Sequence, residues 1–429
     1  MENKLNLRFD YLPCVNYSML ACGVKCCSRL VVENNDERDW QRLVVTVEGK
    51  YVKTSVSHVD RLSRGSSIQL TTVEIIPDAD MLSETTEAVE TAFTLTVEEE
   101  QGQLLQQEYP ITLLAYNQWC GTTVMPELTA AFVVPNHPAL APVLVNTGQE
   151  LERLTGLSAL DEYQTQNRNR VRQQVAALYE ALRREGIVYA APPASFEKFG
   201  PRIRLADQVL HEKLGTCIDT TLLMASCLEK IGINPIIVML DGHALVGAWL
   251  TPTVYPQMVC DDPAYLLKEM ADGNNNVVLV ETTAITSSAV VTFEDAVETA
   301  ARQLRDERSF IHFIDVHRCR LGGIRPIAQR VQKDGAWTFE STGVEHERAT
   351  EHVNSLSHYD LRLDDSKVTL TKQQLWERKL LDFSLRNNLL NTRLGKRVVP
   401  FISFNIENLE DHLQNGEDYQ ITPCPGTKI

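Results

Sequence analysis

Hydrophobic and polar positions alternate along the first 135 residues of the chain. The alternating segments are residues 43–47, 68–75 and 92–97, and a turn near Gly102 returns the chain to residues 111–114. Short alternating segments separated by turn residues are typical of antiparallel strands that bury one face. The pattern therefore predicts an antiparallel β-sandwich over residues 1–145, with the Pro-rich residues 136–150 as its exit.

Beyond this region the apolar residues are spaced as in helices and fully buried strands. Helices are predicted at residues 165–185, 206–214, 217–231 and 293–307, and strands at residues 235–240, 243–250, 277–282 and 310–316. Gly186 and Gly232 end two of these helices. The order predicts an α+β domain over residues 146–332, in which a buried helix packs against an antiparallel sheet.

The remaining chain changes character again. Residues 333–368 are polar with little periodicity, and we interpret them as a linker. A helix with a broad apolar face is predicted at residues 372–390, as the start of an incomplete helical region over residues 369–429. The sequence thus indicates a multi-domain protein.

Composition and charge narrow the functional classes. The chain of 429 residues carries 41 basic and 57 acidic side chains, a net charge of -16, which disfavours binding to nucleic acid. No apolar run approaches the ~18 residues of a membrane span, and the first ten residues do not resemble a signal peptide. The ten cysteines are therefore expected to be reduced thiols in the cytoplasm.

The strongest chemical signal surrounds Cys217. Thr216 and Asp219 have the spacing of a capping box, which places Cys217 at the first position of a helix. Backbone N–H groups and the positive end of the helix dipole favour a thiolate there, and the thiolate is the attacking form of cysteine. Gly215 permits a substrate carbonyl to approach the backbone closely.

Two further residues complete a candidate triad. His243 opens an apolar strand, where an imidazole is suited to take a proton from the thiol. Glu281 lies in a later apolar strand, where an acid is costly unless it is paired, and it is expected to accept the other ring N–H of His243. Asp261 and Asp262 compete for this third role.

Each of these residues also has an ordinary structural interpretation. A cysteine at a helix start is often a small buried side chain, a single histidine on a strand is often a core or surface residue, and a glutamate can face water. The ordered set of all three favours catalysis. By contrast, Cys22, Cys26 and Cys27 have no second ligand pair near them in sequence, so we interpret them as strand thiols and expect no metal and no cofactor.

The ordered set resembles the transglutaminase-like, papain-related cysteine hydrolase superfamily over residues 150–330. The resemblance implies Cys217 as nucleophile, His243 as general base and Glu281 as the orienting acid, although that family more often has Asp in the third position. It also implies an upstream polar group in the oxyanion hole, for which Gln208 is the candidate together with the Cys217 amide.

A second resemblance concerns the end of the chain. Residues 380–393 (LLDFSLRNNLLNTR) look like the start of a domain of unknown function found in large bacterial superfamily-1 helicases. The resemblance implies a downstream helicase domain in the same or a partner chain, and a role in defence against phage. No phosphate-binding loop of the Gly-x-x-x-x-Gly-Lys-Ser/Thr type occurs here.

The leading hypothesis is a cysteine peptidase or isopeptidase that acts on a protein or peptide through an acyl-enzyme on Cys217. A transglutaminase or glutamine deamidase uses the same acyl-enzyme with a different acceptor or target, and the sequence does not separate these activities. A non-catalytic peptide-binding or scaffold module is the third hypothesis.

Overall fold

The computed structural model describes residues 4–70, 74–100, 102–191, 200–306, 308–333 and 336–339. These residues belong to one compact unit that is bounded by Met1–Asp364. Most of the expected linker and the helix expected at 372–390 lie outside the described residues.

Strands dominate the first 113 residues. The strands are β1 (Leu5–Tyr11), β2 (Cys14–Val15), β3 (Cys27–Asn34), β4 (Trp40–Gly49), β5 (Val52–Leu62), β6 (Ser67–Leu70), β7 (Ile76–Pro77), β8 (Val89–Glu99) and β9 (Gly102–Leu113). The short helices α1 (Tyr17–Ala21) and α2 (Ala79–Glu84) interrupt them. One sheet has the order β1-β3-β6 and the other β2-β9-β8-β4-β5-β7. All pairs are antiparallel except β2 with β9.

The expected period-two burial is present in this region. Phe93, Leu95 and Val97 of β8 are fully buried, as alternate residues of a strand with one inward face should be. The ring of Phe9 in β1 lies 5.7 Å from that of Phe93 and 5.0 Å from that of Tyr109 in β9, so aromatic contacts join the two sheets. Of the segment expected as a strand over 68–75, residues 68–70 lie in β6, residues 71–73 lie outside the described residues, and residues 74–75 are not in a strand.

Residues 136–150, expected as the exit from the sandwich, lead into a helix that the sequence did not predict. A 3₁₀ helix at Pro126–Phe132 is followed by helix α3 (Leu140–Thr155). Pro142 occupies the first turn of α3. A proline is tolerated there because the N–H it lacks would have no partner inside the helix.

The second half of the described chain builds a five-stranded antiparallel sheet with flanking helices. Its elements are α4 (Arg168–Arg184), β10 (Val188–Tyr189), α5 (Ala206–Glu212), β11 (Leu214–Gly215), α6 (Cys217–Lys230), β12 (Pro235–Leu240), β13 (His243–Trp249), β14 (Val259–Cys260), α7 (Pro263–Met270), β15 (Val277–Val280), a 3₁₀ helix at Thr282–Thr286, α8 (Phe293–Leu304), β16 (Phe310–Asp315) and α9 (Val316–Leu321). The sheet has the order β14-β16-β12-β13-β15. Strands β17 (Arg330–Lys333) and β18 (Ala336–Phe339) then form a separate hairpin.

Helix α6 is the buried helix of this half. Every residue from Cys217 to Leu228 is buried, and the helix packs against β12 and β13. A helix that is enclosed all round must be apolar or internally hydrogen-bonded, and α6 meets this requirement with apolar residues and threonines. The side chains at its N-terminus are therefore held among surrounding elements.

The described chain is a mixed α/β structure with several sheets. The predicted boundary between a β-sandwich domain and an α+β domain, at residues 145 and 146, stays a prediction. In the part of the chain that the structure describes, no helix combines the length and apolar character that a bilayer crossing needs.

Candidate functional site

The capping box at the start of α6 is formed as the sequence predicted. The Thr216 hydroxyl accepts a hydrogen bond from the Asp219 N–H at 3.3 Å, and the Asp219 carboxylate accepts one from the Thr216 N–H at 3.0 Å. Cys217 is consequently the first helical residue, and it is 8% exposed. The box engages the amides of Thr216 and Asp219 and leaves the Cys217 amide, which the sequence proposed for an oxyanion, outside it.

The Asp219 carboxylate also ties α6 to the segment before α5. It is fully buried, and it accepts the Arg204 N–H at 2.9 Å and the Arg204 guanidinium at 3.3 Å. A buried carboxylate must have such donors because its desolvation is otherwise costly. Asp219 thus joins the capping box beside Cys217 to the segment before α5.

His243 and Glu281 are paired directly. Nε2 of His243 lies 2.6 Å from Oε2 of Glu281, and Glu281 is nearly buried. An ionised carboxylate only accepts hydrogen bonds, so Nε2 is the donor and Nδ1 is the ring nitrogen left for another group. This pairing fixes the tautomer of the neutral imidazole.

The position of Glu281 in its element differs from the expectation. It does not lie in the middle of a strand, because β15 ends at Val280 and Glu281 caps the following 3₁₀ helix. Val280 pairs with Val246 of the antiparallel neighbour, so the chain beyond it runs toward His243 at the start of β13. Oε1 of Glu281 accepts from the N–H and the hydroxyl of Thr283 at 2.9 and 2.7 Å.

Cys217 is the third member of the group. Two interactions raise the pKa of His243 from 6.5 to about 10 against the opposing effect of burial. The larger is hydrogen bonding with Cys217, and the second is hydrogen bonding with Glu281. Burial by itself would raise the pKa of Glu281, but the bonds from His243 and Thr283 lower it. With Nε2 occupied by Glu281, Nδ1 is the ring nitrogen left for the Cys217 side chain. At neutral pH the ring of His243 is therefore favoured in its protonated, imidazolium form.

The competing acids are used elsewhere. The Asp262 side chain caps α7 by accepting the Ala264 N–H at 3.0 Å. Asp261, next to it in the chain, interacts electrostatically with the buried His312. The histidine of the candidate site is thus paired with Glu281 and not with either aspartate.

Gln208 is placed near the start of its own helix. Its Oε1 accepts the Leu205 N–H at 3.3 Å and so caps α5. This bond uses the amide oxygen, whereas an oxyanion hole requires a donor such as the amide nitrogen. The oxyanion role of Gln208 stays a prediction.

Tyr189 is a site residue that the sequence argument missed. It lies in β10, where it pairs in parallel with Gly215, two residues before Cys217. Burial raises the pKa of its hydroxyl, and so do the charge of Cys217 and a hydrogen bond to it. Tyr189 is 41% exposed, so it is far more accessible to solvent than Cys217. A two-residue strand leaves no periodic signal in a sequence.

The arrangement has the parts that nucleophilic acyl transfer requires: a thiol at a helix start, an imidazole beside it and a carboxylate that orients the imidazole. Among the residues that the structure describes, no group of three or more His, Cys, Asp or Glu side chains has the arrangement of a metal site. Cys22, one of the three neighbouring cysteines considered above as strand thiols, is bonded to the backbone: its sulfur accepts a hydrogen bond from the Arg325 N–H at 3.4 Å.

Comparison with known proteins yields one family match. Residues 379–428 match a family model described as a protein of unknown function, DUF4011. The match overlaps the string at 380–393, and it covers a small part of the chain that lies outside the described residues. No curated protein matches the chain.

Proposed function

We propose that this protein is a cysteine hydrolase that cleaves peptide or isopeptide amide bonds through an acyl-enzyme on Cys217. The observation that carries the proposal is the His243–Glu281 pair at 2.6 Å, whose imidazole interacts with Cys217 at the capped N-terminus of a buried helix. A thiol-imidazole pair oriented by a third group is the general pattern of an activated nucleophile.

The proposed reaction begins with the thiolate of Cys217 and the imidazolium of His243. The sulfur attacks the amide carbonyl carbon, and the carbonyl electron pair moves to oxygen, where the Cys217 N–H, with Gln208 as the predicted second donor, stabilises it. The C–N bond then breaks, His243 gives its proton to the departing amine, and a thioester remains on Cys217.

Water completes the cycle. His243, now neutral, takes a proton from water as the oxygen attacks the thioester carbon. The C–S bond breaks, the acid leaves, and the thiolate-imidazolium pair is restored. Glu281 holds the ring and stays ionised throughout, because its pKa is lowered in this setting.

The architecture is consistent with this proposal. In chain order, the helix with the candidate nucleophile is followed by a strand that begins with the histidine and then by a neighbouring strand that ends just before the acid. This is the order of the transglutaminase-like superfamily. We further propose that the two N-terminal sheets, joined by the rings of Phe9, Phe93 and Tyr109, form a β-sandwich that precedes this domain. A helicase-containing bacterial protein with an anti-phage role is the proposed setting, supported by the string at 380–393.

The experiment is hydrolysis of a mixed fluorogenic peptide and isopeptide library by the wild-type chain and Cys217→Ala. We expect release of product by the wild type alone, and a thioester adduct on Cys217 by mass spectrometry. Incorporation of a labelled primary amine into glutamine peptides instead of hydrolysis indicates a transglutaminase. Equal activity of the two chains, or no adduct with any substrate, favours a non-catalytic module.

A further inference from the structure

Three buried hydroxyl groups meet behind the candidate site. Oγ1 of Thr282 lies 3.0 Å from Oγ1 of Thr220 and 3.0 Å from Oγ1 of Thr221. All three threonines are completely inaccessible to solvent. Thr282 follows Glu281 directly in the chain, whereas the other two lie in the first turns of α6.

The outer two hydroxyls extend these contacts to the backbone of the other site residues. Oγ1 of Thr220 lies 3.0 Å from the carbonyl oxygen of Cys217 and 3.0 Å from that of Thr216. Oγ1 of Thr221 lies 3.3 Å from the carbonyl oxygen of Ala244, the residue after His243. A continuous line of oxygen contacts therefore runs from the nucleophile's own carbonyl, through Thr282, to the strand that carries the imidazole.

A count of protons shows why Thr282 is the centre of this line. Three hydroxyls carry three protons, and the carbonyl oxygens at both ends only accept. If Thr220 donates to Thr282, Thr282 to Thr221 and Thr221 to the Ala244 carbonyl, each proton makes one bond and α6, the turn after Glu281 and β13 are joined. Without Thr282 the two outer hydroxyls keep their carbonyl partners, but the hydroxyl contacts between α6 and the turn after Glu281 are lost.

Such a dry network fixes geometry. In a buried environment each hydroxyl is costly unless its bonds are made, so only a narrow range of relative positions of α6, β13 and the 3₁₀ helix satisfies all three. Mechanisms of the proposed kind need each reacting group to lie within a fraction of an ångström of its productive position.

We propose that Thr282 is a positioning residue whose hydroxyl holds the Glu281 turn and the His243 strand in register with the helix that carries Cys217. The proposal rests on the proposed function for its catalytic consequence. Its structural consequence, the alignment of the three side chains, is measurable without any substrate.

The test is Thr282→Val in the full chain, with Thr147→Val as a matched control. Thr147 is also fully buried, but its hydroxyl bonds only the Val143 carbonyl of its own helix, at 2.8 Å. We expect Thr282→Val to slow iodoacetamide labelling of Cys217 about tenfold and to move the His243 ring titration toward its ordinary value. The control should label within about twofold of wild type.

Thr282→Ser keeps the hydroxyl and should restore both readouts. If Thr282→Val does not fold, Thr221→Val, which removes the Thr221 contacts to Thr282 and to the Ala244 carbonyl, takes its place. Loss of thermal stability with unchanged labelling and unchanged ring titration would overturn the proposal. If the wild-type chain cleaves no amide while these readouts shift as expected, the positioning role stands and the proposed hydrolase activity fails.

Discussion

His243 and Glu281 are held 2.6 Å apart across two neighbouring strand ends, with Nε2 of the ring facing the carboxylate. Both carboxylate oxygens are occupied, since Oε1 accepts two bonds from Thr283. A carboxylate anchored on both sides keeps the ring in one orientation. The other ring nitrogen is thereby directed at Cys217, on which the proposed chemistry depends.

Replacement of Glu281 by glutamine removes the negative charge and puts a neutral amide of nearly the same shape in the place of the carboxylate. The charge no longer stabilises the imidazolium, so we expect turnover to fall by about 10²-fold or more. The measurement is the rate of product release at neutral pH. Glu294→Gln is the control, because Glu294 pairs at the surface with Arg172 and should leave the rate unchanged.

The second prediction concerns pH. Because interaction with Cys217 and then Glu281 raises the pKa of His243 from 6.5 to about 10, the ring keeps its proton throughout neutral pH. The contribution of the protonated His243 ring to the stability of the fold is complete below about pH 6.5 and is lost as the pH rises through about 10. Titration of the ring by NMR should show a midpoint near the higher value. Cys217→Ala should move the midpoint down, and a wild-type midpoint at 6.5 would refute the pairing.

A third prediction concerns Tyr189. Its hydroxyl is hydrogen-bonded to Cys217, and Tyr189→Phe removes only that oxygen. We expect turnover and iodoacetamide labelling of Cys217 to change in the same direction by about three- to tenfold, the worth of one hydrogen bond. The thermal midpoint should stay constant because the ring is partly exposed. Unchanged labelling would mean that the hydroxyl does not act on the thiol.

A fourth prediction is about stability alone. Asp219→Ala leaves the amides of Thr216 and Arg204 without their acceptor and removes one of the two hydrogen bonds of the capping box of α6. The expected loss in the free energy of unfolding is about 3 kcal/mol, measured by chemical denaturation. Asp262→Ala removes a cap of the exposed helix α7 and should cost only about 1 kcal/mol. Equal losses would contradict the role given to Asp219.

Local sequence signals predicted the parts of the site that depend on local structure. The spacing of Thr216 and Asp219 was sufficient to place Cys217 at a helix start, because a capping box involves residues three apart. The apolar run after His243 was sufficient to place it at the beginning of a strand. Both expectations were confirmed.

Contacts between distant segments could not be predicted in this way. Thr220 and Thr282 are 62 positions apart, and nothing in either neighbourhood indicates that their hydroxyls meet. Tyr189 reaches the thiol only because β10 pairs with β11. The end of β15 was misjudged because Glu281 and the residues after it continue a β-like composition, while the carboxylate caps a turn.

The most direct test of the central claim is the rate of iodoacetamide labelling, resolved by residue with mass spectrometry, for Cys217 and Cys27 of the native chain. Cys27 is the more exposed thiol, but burial raises its pKa to about 11. A thiolate paired with His243 predicts that Cys217 labels faster at pH 7, and that His243→Ala abolishes this advantage. Slower labelling of Cys217 than of Cys27, or an advantage that survives His243→Ala, would contradict the account.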